Sequence, residues 1–124
     1  MIYLDTNVLV WLRLGNVEKL GREGRKAIER HEVRASAAAV LELGMLHETG
    51  RLRPTASQVV SDLEKNIGLH VCQLPFSTIV DCALAEGWTR DPFDRLIVGN
   101  AKAADAALIT KDERILKHYS RALW

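Results

Sequence analysis

The sequence predicts an α/β fold, a short parallel sheet covered by helices on both faces. Short apolar runs of strand character at Ile2-Tyr3-Leu4, Val33 to Ser36, Leu69 to Leu74 and Ala107-Leu108-Ile109 alternate with longer stretches whose apolar residues recur at helical spacing. The 124 residues, 48% of them apolar, suffice for one core, and no repeat, linker or low-complexity tract divides them, so residues 1–124 are expected to form a single domain.

The first strand stops at Asp5-Thr6-Asn7, after which Val8, Leu9, Trp11 and Leu12 take helical spacing up to Gly15. A charged stretch predicts a helix over about 22–31, and Val33 to Ser36 a second strand. Ala37-Ala38-Ala39 favours helix, which Val40, Leu41, Leu43 and Leu46 carry to about Glu48, with Gly50 as its stop. Thr55 and Gln58 form a capping box for a helix with Val59, Val60, Leu63 and Ile67 on its apolar face, closed by Gly68. Leu69 to Leu74 alternates as a strand and ends at Pro75, and residues 77–86 read as helix. After the turn Gly87 to Pro92, Phe93, Leu96, Ile97, Ala101 and Ala104 mark a helix with a one-sided apolar stripe. Ala107-Leu108-Ile109 is the next strand, running into Thr110-Lys111-Asp112.

Seventeen basic and 16 acidic side chains leave a formal charge of +1, so the overall field neither demands nor excludes a polyanionic partner. Cys72 and Cys82, the two cysteines, have no neighbouring Cys or His at metal spacing and are expected to be buried, reduced thiols. Asp5, Thr6 and Asn7 interrupt the apolar N-terminal stretch well short of a membrane span, so a soluble, cytoplasmic protein is expected. His31, His47, His70 and His118 are too scattered to suggest a metal cluster or a histidine base.

Ligands of open α/β sheets bind outside the carboxyl ends of the strands. This chain repeatedly places acids there. Asp5 follows the first strand, Glu42 lies early in the helix after the second, Asp112 just follows the strand 107–109, and Asp94 opens the helix that leads into that strand. Four converging carboxylates raise one another's pKa values unless a cation neutralises them. Oxygen ligands without His or Cys suit Mg²⁺ or Mn²⁺, ions that support in-line phosphodiester hydrolysis. Each acid also has a structural reading: Asp5, Asp91 and Asp94 suit helix N-termini, and Asp112 a turn. Glu42 is the most telling, because it interrupts the apolar run from Ala37 to Leu46, where an unpaired buried Glu is costly.

Four segments spread along the whole chain, MIYLDTNVLVW, SAAAVLELGML, RDPFDRLIVGNA and ALITKDERI, resemble the PIN-domain family, and its VapC-type toxins in particular. The third is the most specific. The resemblance implies a PIN-domain α/β/α sandwich with a short parallel sheet, completed by a brief last strand near Ala122 to Trp124. It implies a Mg²⁺-dependent ribonuclease, with Mn²⁺ as a substitute, in which Asp5, Glu42 and Asp94 bind metal and Asp112 is the fourth acid. Thr110 would support them by hydrogen bonding, with Asp91 and Asn7 as further supporting contacts. Of the two aspartates in D-P-F-D, Asp94 has the spacing to Leu96-Ile97-Val98 that matches the family, and Asp91 is held in reserve. The implied partners are RNA, a second copy of the chain paired through apolar helices, and a VapB-type antitoxin of a type II toxin–antitoxin pair. Such a partner would bring an Arg or Lys to the carboxylates on a segment that orders as it binds. Many relatives have His where Thr89 stands here, a departure that leaves the four acids intact.

Arg90, Arg95 and Lys111 flank the acids and are candidate RNA-phosphate contacts, although Arg95 could equally neutralise a carboxylate. Arg13, Arg22, Arg25, Lys26 and Arg30 read as solvated helix faces, and Asn100 as a core hydrogen-bonding residue. Trp11 reads as core, or else as a dimer or antitoxin surface. A phosphohydrolase with an aspartyl nucleophile would want a second aspartate where Asn7 stands, and no acid is placed for a receiver domain. The alternative from another class is a non-catalytic PIN-like module that binds RNA or protein. Retention of four mutually repelling acids argues against it.

Overall fold

A computed structural model describes residues 1–124. The chain runs β1 (Ile2–Leu4), α1 (Thr6–Leu14), a 3-10 turn (Val17–Lys19), α2 (Arg22–Arg30), β2 (Val33–Ala35), α3 (Ala37–Glu48) and α4 (Ala56–Ile67). It continues with β3 (His70–Val71), α5 (Phe76–Ala83), α6 (Pro92–Ala103), β4 (Ala107–Ile109), α7 (Glu113–His118) and β5 (Ala122–Leu123). The strands form one sheet in the order β3-β2-β1-β4-β5, and every pairing is parallel. Right-handed crossovers on this order place α1 to α4 over one face and α5 to α7 over the other. The fold is the α/β/α sandwich.

β1 lies at the centre, with all three residues buried, Tyr3 opposite Arg34 on one side and Leu108 on the other. From it the chain moves outward to β2 and β3, and after β4 outward the opposite way to β5. The helices that follow β1 and β4 therefore diverge, and a crevice opens between the carboxyl ends of these two strands. One cluster of 24 buried apolar residues, including Leu4, Leu9, Leu43, Val98 and Leu108, packs between sheet and helices. No helix is long and apolar enough to cross a membrane.

Most helix ends lie where cap chemistry puts them. Gly15 and Gly68 adopt left-handed φ of 75° and 68° just past α1 and α4, Gly50 does so at 76° beyond α3, and the Thr55–Gln58 capping box is complete. Other expectations fail for physical reasons. The strand expected over 69–74 is only His70–Val71, because its neighbour β2 ends at Ala35, where Ser36 turns to cap α3; beyond the Cys72 amide, which donates to the Ala35 carbonyl at 2.9 Å, no backbone remains to pair with. α5 ends at Ala83, short of the expected 86. The stripe on α6 is not one-sided: Ile97, Val98, Gly99, Asn100 and Ala101 are all buried, since α5 covers the side away from the sheet. α7 follows a residue read as a turn, its N-cap Asp112 accepting from the Arg114 and Ile115 amides. Cys72 is buried but Cys82 is only half-buried, and both are free. Arg13 is not a solvated charge, for it pairs with Asp62 of α4 at 2.7 Å.

At Gly99, α6 comes close to the end of α5. A Cβ there would lie 2.8 Å from the Ala83 nitrogen and 3.0 Å from its Cα, both backbone atoms that cannot step aside. Gly99→Ala is expected to cost about 1–3 kcal/mol through overpacking. Gly44→Ala, in the middle of α3 with its nearest neighbour at 4.0 Å, should gain up to about 1 kcal/mol from helix propensity. Urea unfolding of both variants checks the pair, and a Gly99→Ala protein as stable as the parent would contradict the close approach.

Candidate functional site

Asp5 stands where β1 becomes α1. Its Oδ1 accepts from the Thr6 amide at 2.8 Å and its Oδ2 from the Thr110 hydroxyl at 2.6 Å. Thr110, fully buried at the end of β4, also accepts from the Asp112 amide at 3.0 Å. One threonine thus links the acids that follow the two central strands. Thr6, itself buried, donates its hydroxyl to Glu42 Oε1, which fixes the carboxylate of α3 beside that of β1. Sequence reasoning passed over Thr6; its signal was its place between two candidate polar residues at the end of a buried strand.

Asp91 and Asp94 come from the start of α6. Asp91 is the N-cap, its Oδ1 accepting from the Phe93 amide at 2.8 Å and the Asp94 amide at 3.4 Å, so Asp94 is free of capping duty. The preceding turn is braced from two sides. Trp88 donates to buried Glu86 at 2.8 Å and stacks on His118 with ring centroids 4.9 Å apart, and Arg114 of α7 donates to the Trp88 carbonyl at 2.6 Å. Thr89 is buried and accepts from the Asp91 amide at 3.1 Å, a backbone-fixing role.

These acids face one crevice of about 620 Å³ lined by 12 residues, among them Asp5, Glu42, Asp91, Asp94, Asp112 and Glu113. Asn7 and Lys111 line it too, as do Thr6, Trp11, Leu46 and Arg51. Arg90 and Arg95, expected near the chemistry, are not among these residues. Their guanidinium groups are spent on the carbonyls of Gly87 and Thr89, at 2.9 and 2.8 Å, and so hold the turn before α6. Arg51, which nothing in its local sequence marked, stands at the wall instead.

Burial raises the Asp94 carboxyl to about 6, helped by the charges of Asp91, Asp112, Asp5 and Glu42 in that order. Glu42 is also raised, by burial and then by Asp5 and Asp91, against the Thr6 hydrogen bond. Asp5 is raised by burial and to a lesser degree by Asp112, although its bonds from Thr110 and Thr6 favour the charged form. Asp91 is therefore more than a cap, being the leading neighbouring charge on Asp94.

The donor set contains no His or Cys, so its chemistry fits a hard divalent cation, which would relieve the neighbouring charges that, after burial, raise these carboxyls. No three of the acids are drawn together into a ready-made cage.

A family model described as the PIN domain matches residues 2–121. Among solved structures, a toxin–antitoxin complex from Klebsiella pneumoniae is similar with a TM-score of 0.68 at 16% identity, covering 100% of this chain and 97% of that one. VapBC2 from Rickettsia felis, bound to a DNA fragment from its promoter, is similar with a TM-score of 0.64 at 17% identity, covering 100% and 98%. At such identities the likeness is one of fold. None of the curated proteins compared by sequence matches the chain.

In the metal-free protein, folded Asp94 keeps its proton up to about pH 6, whereas the ordinary carboxyl releases it near 3.8. Between these values the native state binds more protons than the unfolded one, so stability is full below pH 4 and falls as pH rises through 6. Asp94→Asn should remove that loss, unfolding in chelator at pH 7 with about 1–2 kcal/mol more stability than the parent. The two proteins should converge near pH 4. Urea unfolding across this range checks it, and parallel pH profiles would contradict it.

Proposed function

This chain belongs to the PIN-domain family, and on that premise we propose that it is a divalent-metal-dependent endoribonuclease, the toxin of a type II toxin–antitoxin pair acting in the cytoplasm. The observation that carries the reading is the gathering of Asp5, Glu42, Asp94 and Asp112 around one crevice at the switch point of the sheet, with raised carboxyls among them. A fold does not need this arrangement for stability. Mutual repulsion makes it costly, and the cost has a use only if a cation is taken up.

Asp5, Asp94 and Glu42, with Asp112 behind them, are the residues that would hold Mg²⁺ or Mn²⁺. Such an ion supplies charge neutralisation to the phosphoryl oxygens and to the oxygen that leaves. The chain's own part is positional. Thr110 and Thr6 fix the Asp5 and Glu42 carboxylates in rotation, and Asp91 holds the first turn of α6 so that Asp94 faces the crevice. Lys111 and Arg51 stand at the walls, where a phosphate on either side of the scissile bond can be met.

The same reading supplies partners. An antitoxin of the VapB type would silence the site by laying an Arg or Lys on the carboxylates, competing with the metal for the same oxygens. A second copy of the chain is proposed to pair over the apolar groove of about 220 Å³ lined by Leu41, Phe76, Ile79, Phe93 and Leu96, beside which Leu41 and Phe76 are 61% and 66% exposed. The Klebsiella and Rickettsia neighbours, a toxin–antitoxin complex and a VapBC pair, support this reading by likeness of fold.

Single-turnover cleavage of single-stranded RNA tests it. Cutting should require Mg²⁺ or Mn²⁺ and stop in chelator, and Asp94→Asn should abolish it, with Asp91→Asn losing far less because Asn caps as well as Asp. Thr110→Val, which keeps shape and removes the bond to Asp5, should lose about 10- to 100-fold. The parent should run as a dimer on sizing. RNA cleavage indifferent to chelator, or equal loss in Asp91→Asn and Asp94→Asn, would contradict the assignment.

A further inference from the structure

Six carboxylates against Arg51 and Lys111 leave the crevice electronegative, so a polyanion entering it needs an anchor outside the acids. One wall offers such an anchor. Trp11 is the single aromatic residue lining the crevice, half-buried on α1. Its inner side is held by the core and by Trp124, whose ring meets it edge-on at 5.7 Å and 61°. Two lysine ammonium groups, from exposed Lys19 and Lys111, stand 5.9 and 6.0 Å from its centroid. A ring held by the core, lining the acidic crevice and overlain by two flexible cations that can swing from it to phosphates as a base takes their place, matches what unpaired nucleic acid presents, a flat base between two phosphates.

We propose that Trp11 is the stacking platform for one unpaired nucleobase of the substrate, with Lys19 and Lys111 meeting the phosphates on either side of it. This rests on the ribonuclease reading above and narrows it, for it makes the substrate single-stranded at the cut and gives one base next to the scissile bond a share of the affinity. Lys19, far from the carboxylates in sequence and absent from the crevice lining, thereby joins the RNA-binding surface.

The test is single-turnover cleavage by the full chain with Mg²⁺, over a range of protein concentrations, on a short single-stranded RNA and on copies carrying one abasic nucleotide at each position in turn. Trp11→Leu should raise the half-saturating protein concentration about 5- to 100-fold, the worth of one stacked base, with the maximal rate little changed. Trp11→Phe should recover most of the loss. One abasic position next to the cut should weaken wild-type binding by the same factor and add nothing to Trp11→Leu. If Trp11→Leu fails to fold, the abasic series on the wild type decides alone, together with quenching of indole emission by intact RNA that is lost with the abasic copy. Normal cleavage by the wild type, with Trp11→Leu saturating as the wild type does or no abasic position mattering, overturns the platform and leaves the ribonuclease standing. A wild type that neither binds nor cuts RNA overturns both.

Discussion

Carboxylates that share a half-buried crevice repel one another, and much of the structure around β1 and β4 is arranged to hold them in spite of it. Burial raises Asp94 to about 6, and every other acid in the crevice except Glu113 adds to it. The restraint comes from neutral donors. Thr110 to Asp5, Thr6 to Glu42, the Asp112 amide to Thr110 and the Asp94 amide to Asp91 fix orientation without cancelling charge. A lysine or arginine paired with these acids would have removed the repulsion. Arg90 and Arg95, next in sequence to Asp91 and Asp94, are instead committed to backbone carbonyls.

The sheet explains why the acids can meet at all. Short strands give few hydrogen bonds, so β1 is stabilised mostly by burial between two helical layers, and Asp5 projects from the end of a fully buried strand. The divergence of α1 and α7 from neighbouring strands opens the crevice, and α3 and α6 close its sides. The turn before α6 would be the loosest wall. Its bonding to Glu86, stacking on His118 and tether to Arg114 make it a continuation of α7, which Asp112 caps, so the two halves of the acidic site are mechanically joined.

What could be read from the sequence divides along the same lines. Asp5 and Asp112 were legible because each follows a buried apolar run directly, and Glu42 because it breaks an apolar helix face; all three line the crevice. α1, α3, α4 and α6 were legible from caps and period. The side-chain partners were not. Nothing local distinguishes an arginine that will face the crevice from one that will hold a turn, and Arg51, remote from every motif, reaches the wall only through the packing of α3 and its C-terminal turn. β3 was overread because strand length is set by its neighbour as much as by its own alternation, and α7 was missed because six residues carry too little period to see.

The central claim is that the chain carries its acids at a cost that a divalent cation removes. Thermal unfolding at pH 7.5 across a Mg²⁺ titration tests it most directly. The account predicts a saturable rise in Tm for the parent protein, while Asp94→Asn starts higher in chelator and gains little from the ion. A parent whose Tm does not respond to Mg²⁺ or Mn²⁺, or an Asp94→Asn protein that responds as the parent does, would contradict it.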